Sequence, residues 1–261
     1  VRSVLDRLTG AGYDAWLVGG CLRDICLGRA PGDWDVASSA LPDAVEALFP
    51  HTAPTGIKYG TVTVLAEGMR VEVTTFRAEG SYGDSRHPGE VVFLSSIEAD
   101  LSRRDFTVNA MACRLSSGET IDCTGGMADL RSKTIRMVSP RSLAADPIRL
   151  LRAYRLAAQL GFGIDPRTAA AVADRAPMIC TSAGERIHTE LFKLLAVDPA
   201  FPWVTQMARD RLLFSILPER SPLRECRQGR HHALDAWAHT LSAFEEMEKI
   251  LIESGSLQGP G

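Results

Sequence analysis

The sequence predicts an α+β protein, in which a mixed β-sheet with flanking helices forms the first half and an all-helical region follows. Within residues 1–138, several short runs alternate β-branched or apolar residues with polar ones, which is typical of strands. From Asp146 onward, apolar residues recur at spacings of three and four, which is typical of amphipathic helices. The change of pattern predicts a boundary near residues 139–145.

The individual elements follow in chain order. Val4, Leu5 and Leu8 predict a first helix, and the apolar run Ala15–Val18 predicts a strand that stops at a glycine pair. A second helix is predicted over residues 21–27. Further strands are predicted over residues 33–37, 61–65, 70–76, 91–94, 109–115 and 134–138, and further helices over residues 148–160, 166–178, 184–196 and 202–212.

The composition is that of an ordinary globular protein. The chain has 261 residues, of which 45% are hydrophobic and 23% charged, and these values exclude disordered and collagen-like classes. It has no run of about 18 consecutive apolar residues and no secretory signal pattern, so we expect a cytoplasmic protein without a membrane span. The six cysteines form no CxxC pair, which predicts free thiols in that compartment.

Charge is divided unevenly along the chain. Residues 1–130 contain 11 lysines and arginines against 18 acidic residues, whereas residues 131–261 contain 18 against 14. An acidic first half suits a metal site, and a basic second half suits a polyanion such as RNA. The alternative is that both halves present ordinary solvated surfaces.

The most informative stretch is residues 19–35, which begins with a glycine pair and ends with two aspartates. If residues 33–37 form a strand, its period of two places Asp33 and Asp35 on one face with their carboxylates side by side. Such a pair favours Mg²⁺, which completes its coordination with water and nucleotide phosphates. The glycine turn before a helix offers backbone N–H groups to phosphates. Taken alone, each pattern is also typical of an ordinary turn or a solvated strand edge.

These residues carry a resemblance to a known family. Residues 19–35 (GGCLRDICLGRAPGDWD) resemble the first motif of the class II tRNA nucleotidyltransferases and their bacterial poly(A) polymerase relatives, which belong to the polymerase β-like nucleotidyltransferase superfamily. Residues 103–112 (RRDFTVNAMA) resemble the second signature, residues 122–130 (DCTGGMADL) the segment after it, and residues 146–155 (DPIRLLRAYR) the templating motif. The matches occur in family order.

The resemblance implies roles for single residues of the first half. Asp33 and Asp35 would hold the catalytic Mg²⁺, in a mechanism that is expected to use two ions. The residues implied for contact with the triphosphate and sugar of the nucleotide are Gly20, Arg23 and Arg104. Without the resemblance, Arg104 would be interpreted as an exposed arginine.

A third carboxylate is predicted from strand periodicity. Glu72 lies in the alternating run 70–76 and is the candidate catalytic partner of the two aspartates. Its period-two neighbours Arg70 and Thr74 are also polar, so a merely solvated strand face remains an alternative.

The templating motif is predicted to be a helix. Asp146, Arg149, Arg152 and Arg155 follow one another at steps of three, so they lie along one stripe of it. The resemblance implies that the aspartate and an arginine bind the base of CTP or ATP, and the alternative is a charged, solvated face. Family members often have Glu where this chain has Ala145.

The resemblance also implies a domain organisation. Residues 1–140 would form a nucleotidyltransferase head with a flexible loop at 77–90, and residues 141–220 a helical neck and body that binds RNA. Residues 231–240 (HHALDAWAHT) resemble the opening of an HD-type phosphohydrolase segment, so residues 221–261 are expected to be its incomplete start. Asp235 and His239 are four residues apart, but no later His-Asp pair completes a metal cluster.

The leading hypothesis is therefore Mg²⁺-dependent addition of CMP, AMP or both to the 3′ end of tRNA, without a nucleic acid template. The implied partners are CTP, ATP and the acceptor arm of tRNA. The nearest alternative is a poly(A) polymerase that adds AMP to RNA 3′ ends. Two further alternatives are a nucleotidyltransferase that modifies a small molecule or protein hydroxyl, and an inactive RNA-binding module.

Overall fold

The computed structural model describes residues 1–78, 92–93, 96–219, 226 and 235–254. The chain divides into two compact units. The first comprises residues 1–132 and 136–145, and the second comprises residues 133–135 and 146–261.

A seven-stranded mixed sheet forms the centre of the first unit. Its strands are Ala15–Val18 (β1), Trp34–Ser38 (β2), Thr52–Gly56 (β3), Thr61–Ala66 (β4), Met69–Thr75 (β5), Ala112–Arg114 (β8) and Glu119–Ile121 (β9). Their order in the sheet is β3-β4-β5-β2-β1-β8-β9, with β2 and β5 parallel and the other neighbours antiparallel. A separate short pair joins Arg77–Ala78 (β6) to Val92–Phe93 (β7).

Six α-helices belong to the described part of this unit. They are Arg2–Gly10 (α1), Gly19–Cys26 (α2), Pro42–Leu48 (α3), Ile97–Ser102 (α4), Gly126–Arg131 (α5) and Pro140–Ala145 (α6). Short 3₁₀ helices lie at Ile57–Tyr59 and Thr107–Asn109.

The two faces of the sheet are covered differently. On one face, Ile97 and Leu101 of α4 pack with Trp16 and Ala37 in a buried cluster. Asp35 shares this face, because it lies two residues before Ala37 on β2. The packing of α4 therefore ends close to the predicted carboxylates.

The opposite face of the sheet is apolar. Val36, Val71 and Val73 lie on it and are at most 1% exposed. Helices α1 and α3 contact strands β1, β4 and β5. This buried layer stabilises the pairing of β2 with β5 beneath the predicted site.

The segment 122–130 packs against the second signature, residues 103–112, and stabilises it. The Asp122 carboxylate accepts hydrogen bonds from the backbone N–H groups that begin α5, and Thr107 Oγ1 donates to the buried Asp129 carboxylate at 2.7 Å. Gly126 lies so close to the 3₁₀ helix that a Cβ atom there would be 2.3 Å from the Thr107 carbonyl oxygen. This motif of the sequence therefore has a packing role.

The second unit is mainly helical. Its α-helices are Ile148–Leu160 (α7), Pro166–Arg175 (α8), Gly184–Leu195 (α9), Phe201–Arg209 (α10), Leu212–Ile216 (α11) and Ala236–Glu253 (α12), with a 3₁₀ helix at Ala176–Thr181. Strands Thr134–Ile135 (β10) and Gly163–Ile164 (β11) pair in parallel.

Two buried polar contacts tie the helices of this unit together. Tyr154 of α7 is fully buried, and its hydroxyl donates to the Asp210 carboxylate at 2.5 Å. Glu248 of α12 accepts hydrogen bonds from the backbone N–H groups of Ala200 and Phe201, which begin α10. Both contacts satisfy polar groups that would otherwise be costly to bury.

The structure confirms the predicted fold class and corrects several boundaries. β2 begins at Trp34, so Asp33 precedes the strand. The predicted strand 109–115 is shortened to β8, because residues 107–109 turn into a 3₁₀ helix against α5. The strands predicted over 91–94 and 134–138 contain two residues each, and the helix predicted over 202–212 is two helices. The sequence analysis did not predict helices α3, α4, α5, α6 and α12 or strands β3, β6, β9 and β11.

The structure also bears on two predictions from composition. All six cysteines are free. Among the described helices, none is both long enough and apolar enough to cross a membrane.

The close approach at Gly126 predicts a measurable loss of stability on substitution. Gly126→Ala is expected to lower the free energy of unfolding by about 1–3 kcal/mol, because the added Cβ forces the backbone of the Thr107 turn to move. Urea denaturation measures this. Gly10→Ala is the control, since a Cβ there meets nothing within 4 Å; equal stability of the two variants would contradict the packing role.

Candidate active site

Three carboxylates converge at the junction of β2 and β5. Asp35 is the direct cross-strand partner of Glu72, and Asp33 precedes the same strand. Partial burial raises the pKa of Glu72 above its ordinary value, and the negative charges of Asp35 and Asp33 raise it further. The three acids thus form one electrostatic group, as the strand pattern predicts.

The carboxylate group has the chemistry of a hard-cation site with few protein ligands. In the described residues, no three His, Cys, Asp or Glu side chains are arranged to bind one ion together. Adjacent carboxylates, such as those of Asp35 and Glu72, offer the oxygen ligands that hard cations such as Mg²⁺ prefer.

A glycine turn approaches the carboxylates from the side of β1. Gly19 has a φ of +74°, and a Cβ atom there would lie 2.9 Å from Asp35 Oδ2 and 3.3 Å from Arg104 Nη1. Only glycine fits this position without displacing one of the two side chains. At Gly20, the predicted residue, a Cβ would be in ordinary contact with Arg23 at 3.5 Å. Of the two glycines, Gly19 is therefore the one whose position excludes a side chain.

Arg23 is held on both sides of its guanidinium. Nε donates to Asp24 Oδ1 at 2.9 Å, and Nη1 donates to Asn109 Oδ1 at 2.8 Å. Asn109 in turn donates to Asp105 Oδ1 at 3.2 Å. The second signature therefore positions an arginine of the first motif, a role for Asn109 that sequence reasoning missed.

Arg104 is anchored by a buried carboxylate and is not the exposed arginine that its sequence context alone indicates. Its side chain is 19% exposed, and Nη2 donates to Asp100 Oδ2 at 3.0 Å. Asp100 is 1% exposed and also accepts from Arg103 through Oδ1. Burial raises the pKa of Asp100, but Arg104 and Arg103 outweigh this effect and hold the pKa below its ordinary value. Asp100 is thus a site residue that sequence reasoning missed, although its spacing of four from Arg104 was a usable signal.

The templating stripe lies on α7 in the second unit. Arg149, Arg152 and Arg155 are half-buried along one side of the helix, as predicted, and Asp146 precedes its first turn. Both oxygens of the Asp146 carboxylate accept from the guanidinium of Arg186 on α9, at 3.0 and 2.7 Å.

A second residue of α9 pairs with the arginines. Arg155 Nε donates to Glu190 Oε2 at 2.6 Å, and Arg152 Nε lies 3.9 Å from Glu190 Oε1. The sequence analysis did not predict a role for Arg186 or Glu190. Their spacing of four places them on one face of α9, and this spacing could have indicated that they act together.

The remaining predicted features lie outside this site or outside the described residues. Asp235 caps α12, since its carboxylate accepts from the Ala238 backbone N–H at 2.7 Å. His239 is on the first turn of that helix, whereas residues 231–234 and most of the predicted loop 77–90 lie outside the described residues.

Comparison with known proteins matches both units. Residues 15–136 match the family model described as the poly A polymerase head domain. Residues 161–223 match the model described as the probable RNA and SrmB-binding site of polymerase A.

The similar curated proteins are CCA-adding enzymes. That of Leuconostoc mesenteroides is 43% identical over 214 residues, which are 81% of this chain and 53% of the relative. That of Geobacillus kaustophilus is 42% identical over 217 residues, 82% of this chain and 53% of the relative. The chain thus spans about half the length of the curated relatives it matches.

Solved structures agree with this. The CCA-adding enzyme of Bacillus stearothermophilus in complex with CTP aligns with a TM-score of 0.74 and 40% identity, over 80% of this chain and 51% of that one. The Thermotoga maritima CCA-adding enzyme complexed with tRNA aligns with a TM-score of 0.70 and 25% identity, over 84% and 52%. The chain therefore belongs to the nucleotidyltransferase family that has the poly A polymerase head domain and includes the bacterial CCA-adding enzymes.

Proposed function

We propose that this protein adds CMP, AMP or both to the 3′ end of tRNA, using CTP and ATP and releasing pyrophosphate. The observation that carries the proposal is the group of Asp33, Asp35 and Glu72 beside the Gly19 turn and Arg104. This group lies within residues 15–136, which match the poly A polymerase head domain.

The reaction that suits the group is an in-line displacement at phosphorus. The 3′-hydroxyl of the RNA attacks the α-phosphate of the nucleotide, a new P–O bond forms, and the bond to pyrophosphate breaks. Glu72 accepts a hydrogen bond from the attacking hydroxyl, and its raised pKa makes it a better proton acceptor than an ordinary glutamate. Positioning and electrostatics supply most of the rate enhancement.

The carboxylates Asp33 and Asp35 are proposed to hold two Mg²⁺ ions together with the nucleotide. Partial burial and then the negative charges of Asp35 and Asp33 raise the pKa of Glu72, and a cation would relieve the repulsion among the three acids. When bound, Mg²⁺ neutralises triphosphate charge and acidifies a coordinated hydroxyl.

The cationic side of the site is proposed to bind the triphosphate and sugar. Arg23 and Arg104 present guanidinium groups whose forks match phosphate oxygens, and the backbone at Gly20 lies at the start of α2, where N–H groups point outward. Asp100 fixes the direction of Arg104 and so is a positioning residue.

The helix α7 is proposed to select the base. Asp146 offers acceptors and Arg149 offers donors, which together can pair with the edge of cytosine or adenine. Arg152 and Arg155 extend the same stripe and are held by Glu190, which keeps the stripe in place. In this proposal the head at residues 1–140 performs catalysis, residues 141–220 select the nucleotide and bind RNA, and residues 221–261 begin a further segment. The protein is proposed to act in the cytoplasm.

A poly(A) polymerase is the second candidate, because the two family models that match are described by that activity. Both candidates share the carboxylates and the nucleotide-binding residues. The length and composition of the added tail distinguish them.

The first prediction from this proposal concerns the reaction itself. Incubation with Mg²⁺ and tRNA transcripts ending before CCA, after C or after CC, with labelled CTP or ATP singly and together, is expected to add one to three nucleotides. Asp35→Asn is expected to lower kcat by about 10²–10³-fold or more, because it removes charge at the metal site. Gel analysis of extended transcripts measures both.

The control is Asp6→Asn, which removes an exposed carboxylate of α1 and is expected to keep full activity. Long tails of A would assign poly(A) polymerase activity. Failure to extend any transcript would contradict both candidates.

The second prediction concerns nucleotide choice. Asp146→Ala is expected to reduce the preference for CTP and ATP over UTP and GTP about tenfold or more, because hydrogen bonds to the base are lost. Single-turnover incorporation of each nucleotide measures this. Asp174→Ala on the exposed side of α8 is the matched control, and an unchanged preference in the Asp146 variant would contradict base selection.

The third prediction concerns Asp100. Asp100→Asn is expected to raise the KM for nucleotide and to lower the free energy of unfolding at pH 7 by about 1–3 kcal/mol, because Arg104 and Arg103 lose a charged partner. A carboxylate whose pKa is lowered by folding stabilises the protein above its unfolded pKa, and this stabilisation is lost as pH falls through the folded pKa.

Urea denaturation over a range of pH values checks the sign. The stability difference between the parent protein and the Asp100 variant should be full near neutrality and shrink below about pH 4. Asp6→Asn should be within about 0.5 kcal/mol of the parent protein throughout. A difference that grows with acidification would contradict the ion pairs.

A further inference from the structure

The two sides of Asp35 in the sheet differ in chemistry. On the side of β1, the Gly19 turn and Arg104 approach its carboxylate. On the side of β5, its neighbour is Glu72. Phosphate-binding groups therefore lie on one side of the reaction centre, and the acid that faces a nucleophile lies on the other.

This order restricts where the RNA can lie, given the proposed function, on which the inference rests. In an in-line displacement the attacking hydroxyl and the leaving pyrophosphate are on opposite sides of the phosphorus atom. If pyrophosphate leaves toward Gly19 and Arg104, the 3′ end of the RNA must approach from the opposite side. It then crosses β5 and β4 on the sheet face that Asp35 and Glu72 share. The side chains on that part of the sheet face are then its neighbours.

This face of β5 and β4 presents one positively charged side chain and one exposed apolar side chain. Arg70 lies two residues before Glu72 on β5, and so shares its face at about 7 Å along the strand. Its cross-strand partner is Leu65 of β4, which is 47% exposed. Arg70 is exposed, and among the residues that the structure describes it forms no ion pair.

We propose that Arg70 and Leu65 form the binding subsite for the last nucleotides of the acceptor RNA. The guanidinium of Arg70 binds a backbone phosphate next to the reacting 3′ end, because its donor fork matches phosphate oxygens. Leu65 contacts the apolar face of the terminal nucleotide. A phosphate and a sugar face occur at every position of RNA, so this subsite binds the acceptor without reading its sequence.

Kinetics on the acceptor test this proposal. The acceptor is a tRNA transcript that ends before CCA. At saturating nucleotide, Arg70→Gln is expected to raise the KM for RNA about fivefold to tenfold. At saturating RNA, the same variant is expected to leave the KM for CTP unchanged. The slope of log kcat/KM for RNA against log salt concentration should fall by about 0.7–0.9, because one phosphate contact is lost. Arg70→Lys should keep most of that slope.

Arg2→Gln is the matched control, since Arg2 is an exposed arginine of α1 in the same unit. If the parent protein extends RNA and both glutamine variants have its KM for RNA and its salt slope, the subsite is wrong while the proposed function stands. A fall in kcat alone would also overturn the subsite, because Arg70 would then act only on the charges of the carboxylates. A parent protein that extends no RNA overturns the proposed function and this inference with it.

Discussion

The candidate site depends on the parallel pairing of β2 with β5, because this pairing places the carboxylates of Asp35 and Glu72 side by side. Like charges at adjacent positions of a sheet are unfavourable. On the opposite face, Val36 and Val73 are also paired and fully buried, and a buried valine contributes about 1.5 kcal/mol or more. Because Glu72 is only partly buried, water screens part of the repulsion between the carboxylates, and the packing beneath them prevails.

The arginines of the site are positioned by ion pairs with a buried carboxylate rather than by strand pairing. Arg104 owes its position to a carboxylate that is almost fully buried, and that carboxylate is shared with Arg103. One buried negative charge between two arginines leaves net positive charge facing the Gly19 turn. An anionic ligand is favoured there, while the acids on β2 and β5 favour cations. A metal-bound triphosphate satisfies both sides at once.

Sequence reasoning succeeded where the signal is local and periodic. Helix α7 was predicted over its full length, since its apolar spacing is regular and Gly161, with a φ of +68°, ends it. Gly19 was passed over in favour of its neighbour, because a requirement for glycine depends on what lies opposite in space. The contact between Arg23 and Asn109 spans 86 residues of sequence and has no local signature. Short helices such as α4 fall below the length at which periodicity can be recognised.

The ion pairs of the second unit differ in exposure, which bears on the proposed base selection. Arg155 and Glu190 are each 12% exposed, so their contact is shielded from water and holds that end of the stripe. The side chain of Arg186, in contrast, is 53% exposed in its pair with Asp146. An exposed pair contributes about 0–1 kcal/mol, which hydrogen bonds from a nucleotide base can replace at little cost. The stripe therefore combines a fixed arginine end with an aspartate end that can exchange its partner, which is the property that the proposed base selection requires of Asp146.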